Sequence, residues 1–453
     1  MVRNPTQTKK ESPMLKKQQI KTKESMQVKF HQFLRKFSHQ FSLPVFKYMS
    51  DMCLGIMKSK SVIINKIAQQ LCEDISLKKT CERLYRNSRS DTMAERLQSC
   101  IIGEQSKGLN SETAIIVDDS DLIKTSSRKM EGLKKVRDGS TGAVDQLGYD
   151  LVNIIACQPE TEGYQIKPIS SDLVSLEIDE DSLIQITQDR MVDIMVASGN
   201  RGVFVFDRGY DKRSMFNFFN EHACDFIVRS MASRGLIVDD IETSFDKVAK
   251  SVKLNTTITS TSGTDSFKCG AKRVKLRLDS HPKKHPTTME VWLIVARYIP
   301  KDNKKKAGFF YFLCDFPNQD ISKEQVIRKS INMYRLRWKI EEVHRHIKQD
   351  YGWEKMQLMT YTGLKNLNQL LLLAMCYVYS LKSFAYELLA NFPHIMGYST
   401  RLWKQIYDFI YYRLANVLQH CFAYVTRYKI LEYGGKWVES QQLILPCLKN
   451  GGM

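Results

Sequence analysis

The chain has 453 residues, 43% hydrophobic and 26% charged, a balance that supports a substantial core and, at ~100–200 residues each, two or three domains. Its net charge of +19 points to a polyanionic partner, nucleic acid before an anionic membrane surface. Eleven cysteines, an odd number with no Cys-x-x-Cys pair, argue against a disulfide framework or a structural zinc site and for reduced thiols in the cytoplasm.

The N-terminus, "MVRNPTQTKKESPMLKKQQIKTK", is basic and lacks the apolar core of a secretory signal. Residues 1–30 read as a flexible basic arm. From there to about residue 110 apolar residues recur at three- and four-residue spacing, as in helices. "SVIINKIAQQLCEDISLKKTCERLYRN" divides into a helix, a turn and a second helix rich in Lys and Arg. That pattern suits a DNA-reading module, and equally a helical bundle with a solvated basic face.

A different texture begins near residue 112. "TAIIVDDSDL" is a β-branched run that ends in carboxylates, and "YDLVNIIACQ" and "YQIKPISSDLV" read as further strands. "DSLIQITQDRMVDIMVASG" has helical spacing, with Gly199 suited to its end. A strand "GVFVFD", a helix "KRSMFNFFNEH" and a strand "DFIVRS" follow, which predicts an α/β domain with a mixed sheet. Short β-type runs fill 235–316, with basic loops "HPKKHP" at 281–286 and "KDNKKK" at 301–306 between them. Ser322 and Gln325 are placed as a capping box at the start of the next helix. "LLLLAMCYVYSL" at 370–381 is too short for a bilayer, which takes ~20 residues, and reads as a buried helix.

In "YRLRWKIEEVHRHIK", 334–348, a single α-helix would place Tyr334, Arg337, Glu341 and Lys348 within about 60° of one another on the helical wheel. Leu336, Ile340, Val343 and Ile347 would form the buried stripe on the other side. Three acids stand out by position: Asp118 at the end of "AIIVD", Asp207 at the end of "VFVFD", and Glu341 on the polar stripe. Two strand-end carboxylates and a third from a packed helix suit a pair of hard divalent cations, Mg²⁺ or Mn²⁺, of the kind that cleaves phosphodiesters. A strand-end Asp is also an ordinary turn former, and Asp119 and Asp121 compete with Asp118.

Tyr334, Arg337, Glu341 and Lys348 match, position for position, the Y-(2)-R-(3)-E-(6)-K signature of the insertion-sequence-four family of DDE transposases. "RWKIEEVHRHIK", "DRGYD" followed by "DFIVRS", and "VDDSDL" resemble that family's transposon-five branch over roughly 110–390. The resemblance implies an RNase H-like mixed-sheet catalytic core at 111–390 with a β-rich insertion at 235–316. A helical DNA-binding domain at 31–110 would precede it and a C-terminal helical region, 391–453, would follow. It implies Asp118, Asp207 and Glu341 as catalytic, metal-binding acids holding two Mg²⁺ or Mn²⁺ ions, with Tyr334, Arg337 and Lys348 on DNA phosphates. The implied reaction is cut-and-paste transposition, in which transposon ends are cleaved and then joined to target DNA. A homodimer would synapse two inverted-repeat ends of double-stranded DNA in the bacterial cytoplasm, without membrane involvement, the C-terminal helices offering one interface.

Among secondary candidates, Trp338 either stacks on DNA or packs, and Arg208 and Asp211 flank the second acid as supports for it, Arg208 also as a DNA contact. Trp292, Phe310, Tyr311 and Phe312 either hold a flipped base, as the resemblance suggests, or belong to the core. His344 and His346, on different helix faces, read as surface residues. Two other functions stay open: a DNA-binding protein derived from a transposase without catalysis, and a metal-dependent nuclease of the same fold.

Overall fold

The computed structural model describes residues 13–396 and 410–423, apart from 125–126, 138–141, 162, 260–264, 280–286 and 301–306. The basic loops at 281–286 and 301–306 therefore lie outside the described residues, as do 1–12 and most of 391–453. The chain divides into two compact units: Met1–Cys100 with Lys124–Glu131 and Arg345–Met453, and Ile101–Ile123 with Gly132–His344.

The first unit is helical. Helix α1 (Pro13–Ser38) buries Met26, Phe30, Phe33, Leu34 and Phe37, which recur at three- and four-residue spacing. Phe30 packs on Tyr377 and Phe422 at centroid distances of 5.1 and 5.6 Å. The expected arm is thus corrected from residue 13 onward: its basic residues share a helix whose apolar stripe is part of a core. Helix α2 (Leu43–Ser59) is followed by α3 (Ile64–Leu71), α4 (Leu77–Asn87) and α5 (Met93–Gln105). A Cβ on Gly55 would collide with Ile67 Cγ2, so glycine lets α2 and α3 approach. Helix α4 starts at Ser76, whose side chain accepts from the Lys79 amide. It is fixed by Arg83, which lies 2.9 Å from Asp51 and 2.6 Å from Glu73. The helix Tyr361–Ser380 is buried on nearly every side, as its apolar run predicts. No helix among the described residues is long and apolar enough to cross a membrane.

The second unit is a large mixed sheet with helices. Its strands are β1 (Ala114–Ile123), β2 (Lys134–Val136), β3 (Gln146–Pro159), β4 (Tyr164–Val174), β5 (Val203–Phe206) and β6 (Phe226–Arg229). Strands β7 (Gly235–Val238), β8 (Ile241–Ser244), β9 (Thr256–Thr259), β10 (Asp265–Arg277), β11 (Thr288–Pro300) and β12 (Gly308–Asp315) complete it. In space β4, β3 and β1 are antiparallel neighbours, β1, β5 and β6 run parallel, and β12, β11 and β10 extend the sheet beyond β6. Three antiparallel strands followed by two parallel ones are consistent with the RNase H-like transposase core that the resemblance implies. The strands of 235–315 continue the same sheet through the pairing of β12 with β6.

Helix α6 (Leu183–Ser198) ends on Gly199 in the left-handed region at φ 66°, as expected. With α7 (Arg213–His222) it covers one sheet face, where Ile115, Val117, Ile154, Phe204 and Phe206 meet Met191, Ile194, Phe216 and Phe219. The short helix α8 (Phe245–Ser251) adds Phe245 and Val248 to that cluster. Helix α9 (Lys323–Arg335) opens with the predicted capping box of Ser322 and Gln325 and lies on β12, where Phe312 meets the Tyr334 ring at 4.7 Å. Helix α10 (Trp338–His346) follows.

Candidate active site

Two strands set the positions of the first two acids. The parallel pairing of β1 with β5 stops at Val117 and Phe206, so Asp118 and Asp207 are the next residues on adjacent strands. The apolar run does end at Asp118, but β1 itself continues to Ile123, because β3 is long enough to pair with it throughout. Alternation along β1 then separates the two competing carboxylates. Asp119 faces the core cluster, where the Tyr210 hydroxyl donates to its Oδ1 at 2.5 Å. Asp118 faces the other way.

The third acid comes from a helix that is not continuous. Around Leu336 and Arg337 the backbone makes i to i−3 hydrogen bonds, Leu336 N to Met333 O, Arg337 N to Tyr334 O and Ile340 N to Arg337 O, at 2.9, 3.0 and 3.2 Å. This tight turn separates α9 from α10, and residues Ile347–Tyr351 then widen into a π-helical turn. The single wheel on which the four signature residues were aligned is therefore corrected: the winding changes after Tyr334 and again at Lys348.

The turn brings side chains onto the acids. The Tyr334 hydroxyl donates to Asp207 Oδ1 at 3.0 Å, and Arg229 Nη1 stands 3.7 Å from the same oxygen. Arg337 Nη2 donates to Glu341 Oε1 at 2.6 Å, and its Nη1 is 3.7 Å from Asp118 Oδ2. Burial pushes the Asp118 carboxyl up to about 7; Arg337 opposes this, while Asp119, Glu341 and Asp207 reinforce it. Burial, and next the negative charge of Asp207, push the Tyr334 hydroxyl up to about 12.

The donor set is hard oxygen, which suits Mg²⁺ or Mn²⁺. Among the described residues no three acids, histidines or cysteines are gathered at metal-holding distance. Where two of the acids meet, the positive charge between them is the Arg337 guanidinium. The residues therefore fit such an ion in kind, with the arginine holding Asp118 and Glu341.

The remaining candidates fall out differently. Lys348 belongs to the helical unit, where its Nζ lies 3.3 Å from Glu354 Oε1. Trp338 is 61% exposed, with the Arg337 guanidinium 5.4 Å from its ring centroid. Arg208 is exposed on the short turn Arg208–Tyr210. Asp211 is buried and accepts from Ser230 Oγ and the Met231 amide at 2.9 and 2.8 Å, and it pairs with Arg234. It thus anchors the turn after β6. Phe312 is core, whereas Trp292 is partly exposed and covered by Arg273 at 4.5 Å. Phe310 and Tyr311 are also partly buried, Phe310 lying 5.1 Å from the Arg229 guanidinium.

His344 and His346, expected on the surface, are buried. His346 Nδ1 lies 3.1 Å from the Tyr379 hydroxyl, and its ring lies 4.4 Å from that of Tyr412. Tyrosines distant in sequence supply that cover, which an isolated helical wheel does not contain. Arg229, inside the quoted "DFIVRS", was missed as a partner of Asp207, since only the pairing of β6 with β5 carries it to the end of β5.

Residues 183–379 match a family model described as a transposase DDE domain, which supports a DDE transposase. The match takes in Asp207 and the entire signature and leaves Asp118 outside. No curated protein matches the chain.

Proposed function

We propose that this chain is a DNA transposase of the insertion-sequence-four type, in which Asp118, Asp207 and Glu341 are the catalytic acids. The observation that carries the reading is the convergence on one sheet end of Asp118, Asp207, Tyr334, Arg337 and Glu341, which come from three separate segments of the chain. The three acids would hold Mg²⁺ or Mn²⁺, two ions being the expected number. When bound, such ions supply Lewis-acid stabilisation of the attacking and leaving oxygens of a phosphodiester.

The chain's own residues then bind and orient DNA. Arg337, buried against two acids and capped by the Trp338 ring, presents a planar fork suited to phosphate oxygens. The Tyr334 hydroxyl donates its one proton to Asp207 and so fixes that carboxylate. Lys348 and the exposed Arg208 add positive charge for the DNA backbone. Within the helical unit, α3 and α4 form a helix-turn-helix whose exposed Lys78, Lys79 and Arg86 suit reading of the transposon end. Two copies would synapse two ends, acting in the bacterial cytoplasm by a cut-and-paste route.

The test uses the full chain, labelled DNA carrying the inverted repeats that flank its gene, and Mg²⁺, with products resolved on a denaturing gel. Cleavage at the repeat boundary followed by joining of the 3′ end to target DNA supports the reading, provided Glu341→Ala gives neither. Specific binding without any product in Mg²⁺ or Mn²⁺ points instead to a DNA-binding protein without catalysis. Cleavage without joining points to a nuclease.

A further inference from the structure

Strand β3 carries an asparagine where its neighbours are apolar: "LVNIIA", with Asn153 between Val152 and Ile154. Asparagine is depleted in strands, and this one is only 6% exposed. Its Nδ2 is buried and has no hydrogen-bond partner among the described residues. A buried donor left open costs stability, and such a group calls for an explanation beyond packing.

Register supplies one. Asn153 is directly opposite Asp118 in the antiparallel pairing of β3 with β1. Directly opposed residues share a sheet face, with Cβ atoms about 4.5–5.5 Å apart. Ile154, the next residue, belongs to the core cluster on the other face, as does Val117 opposite it. Asn153 is therefore on the acid face, next to Asp118. Arg337 approaches Oδ2 of that carboxylate, which leaves Oδ1 for a second donor.

We propose that Asn153 is a positioning residue for Asp118: its Nδ2–H, open in this structure, donates to Oδ1 once DNA and metal are bound and fixes the orientation in which Oδ2 faces the reacting phosphodiester. This role rests on the transposase reading above. A carboxylate ligand is held in place by such outer hydrogen bonds, and their loss typically costs 10–100-fold in metal affinity or activity.

Asn153→Leu tests the proposal, because leucine keeps the approximate volume and removes the donor. Three quantities would be measured on the full chain: the unfolding temperature, metal-free affinity for end DNA, and single-turnover cleavage against Mg²⁺ concentration. The expected result is an unfolding temperature equal to or above wild type and unchanged DNA affinity. Cleavage should be about 10–100-fold slower, with more Mg²⁺ needed for half-maximal rate. Wild-type cleavage with wild-type Mg²⁺ dependence overturns the proposal, and so does a rate loss accompanied by a lowered unfolding temperature and weakened DNA binding. If the leucine variant does not fold, Asn153→Ser and Asn153→Ala decide, since only serine retains a donor. Faster cutting by the serine variant supports the role, and equal rates overturn it. A wild-type chain that binds end DNA yet yields no metal-dependent product overturns the transposase reading and this role with it.

Discussion

Arg337 donates to Glu341 from one helical turn away, at 2.6 Å, and the other arm of the same guanidinium stands 3.7 Å from Asp118. A single cation thus faces two acids that come from a strand and a helix more than two hundred residues apart. Without it, like charges would confront one another in a largely buried place. Arg337→Met is expected to lower stability by about 1–3 kcal/mol, the usual cost of leaving buried partners open. Mg²⁺ should then raise the unfolding temperature of the variant more than that of wild type, since the freed carboxylates have lost their internal cation. Arg337→Lys should recover little, because one ammonium cannot replace a two-armed fork. Thermal unfolding with and without Mg²⁺ checks all three statements.

Asp118 and Asp119 are adjacent in sequence and opposed in space. Asp118→Asn should abolish cleavage, at least about 100-fold, with DNA binding kept, because it removes a charge from the acid face. Asp119→Asn should weaken the bond from Tyr210, with a cost of about 1 kcal/mol in stability and a much smaller loss of rate. Parallel cleavage and urea-unfolding measurements separate the two, and the reverse pattern would assign the first acid to Asp119.

Tyr334 does two things with two parts of its side chain. The ring packs on Phe312 at 4.7 Å, while the hydroxyl holds Asp207 at 3.0 Å. Tyr334→Phe keeps the packing and removes a hydrogen bond to a charged group, worth about 1.5–3 kcal/mol. Cleavage should fall roughly 10–100-fold, and the unfolding temperature should drop by a few degrees with the lost bond. Tyr334→Ala should lose both.

His346 makes the helical unit sensitive to acid. Burial pulls its imidazole down from the usual 6.5 to about 4, against the opposing charge of Asp350. The folded state disfavours the protonated ring, so stability is complete above pH 6.5 and is lost as the pH falls toward 4. The loss is about 3 kcal/mol across that window. Unfolding measured at pH 7.5 and pH 5 should show this decline, and His346→Phe should reduce it.

The sequence by itself determined the elements and the residue types of the candidate site. Alternation and β-branched content marked the strands around Asp118 and Asp207, Gly199 ended its helix, and Ser322 with Gln325 opened another. These are local effects, fixed by backbone sterics and by hydrogen bonds within a few residues. Fixed spacing alone marked Tyr334, Arg337, Glu341 and Lys348 as a set. Tertiary structure decided how they are used. Strand register turned Asp118 toward Arg337 and Asp119 toward Tyr210, and it set Asn153 opposite Asp118. The tight turn at Leu336 and Arg337, followed by the wide one at Ile347–Tyr351, changed a helical phase that a uniform 100° per residue cannot represent. Distant aromatic residues buried His346 and drew α1 out of an apparently flexible arm. Register, phase and burial depend on pairing between remote segments, and no short window of sequence contains both partners.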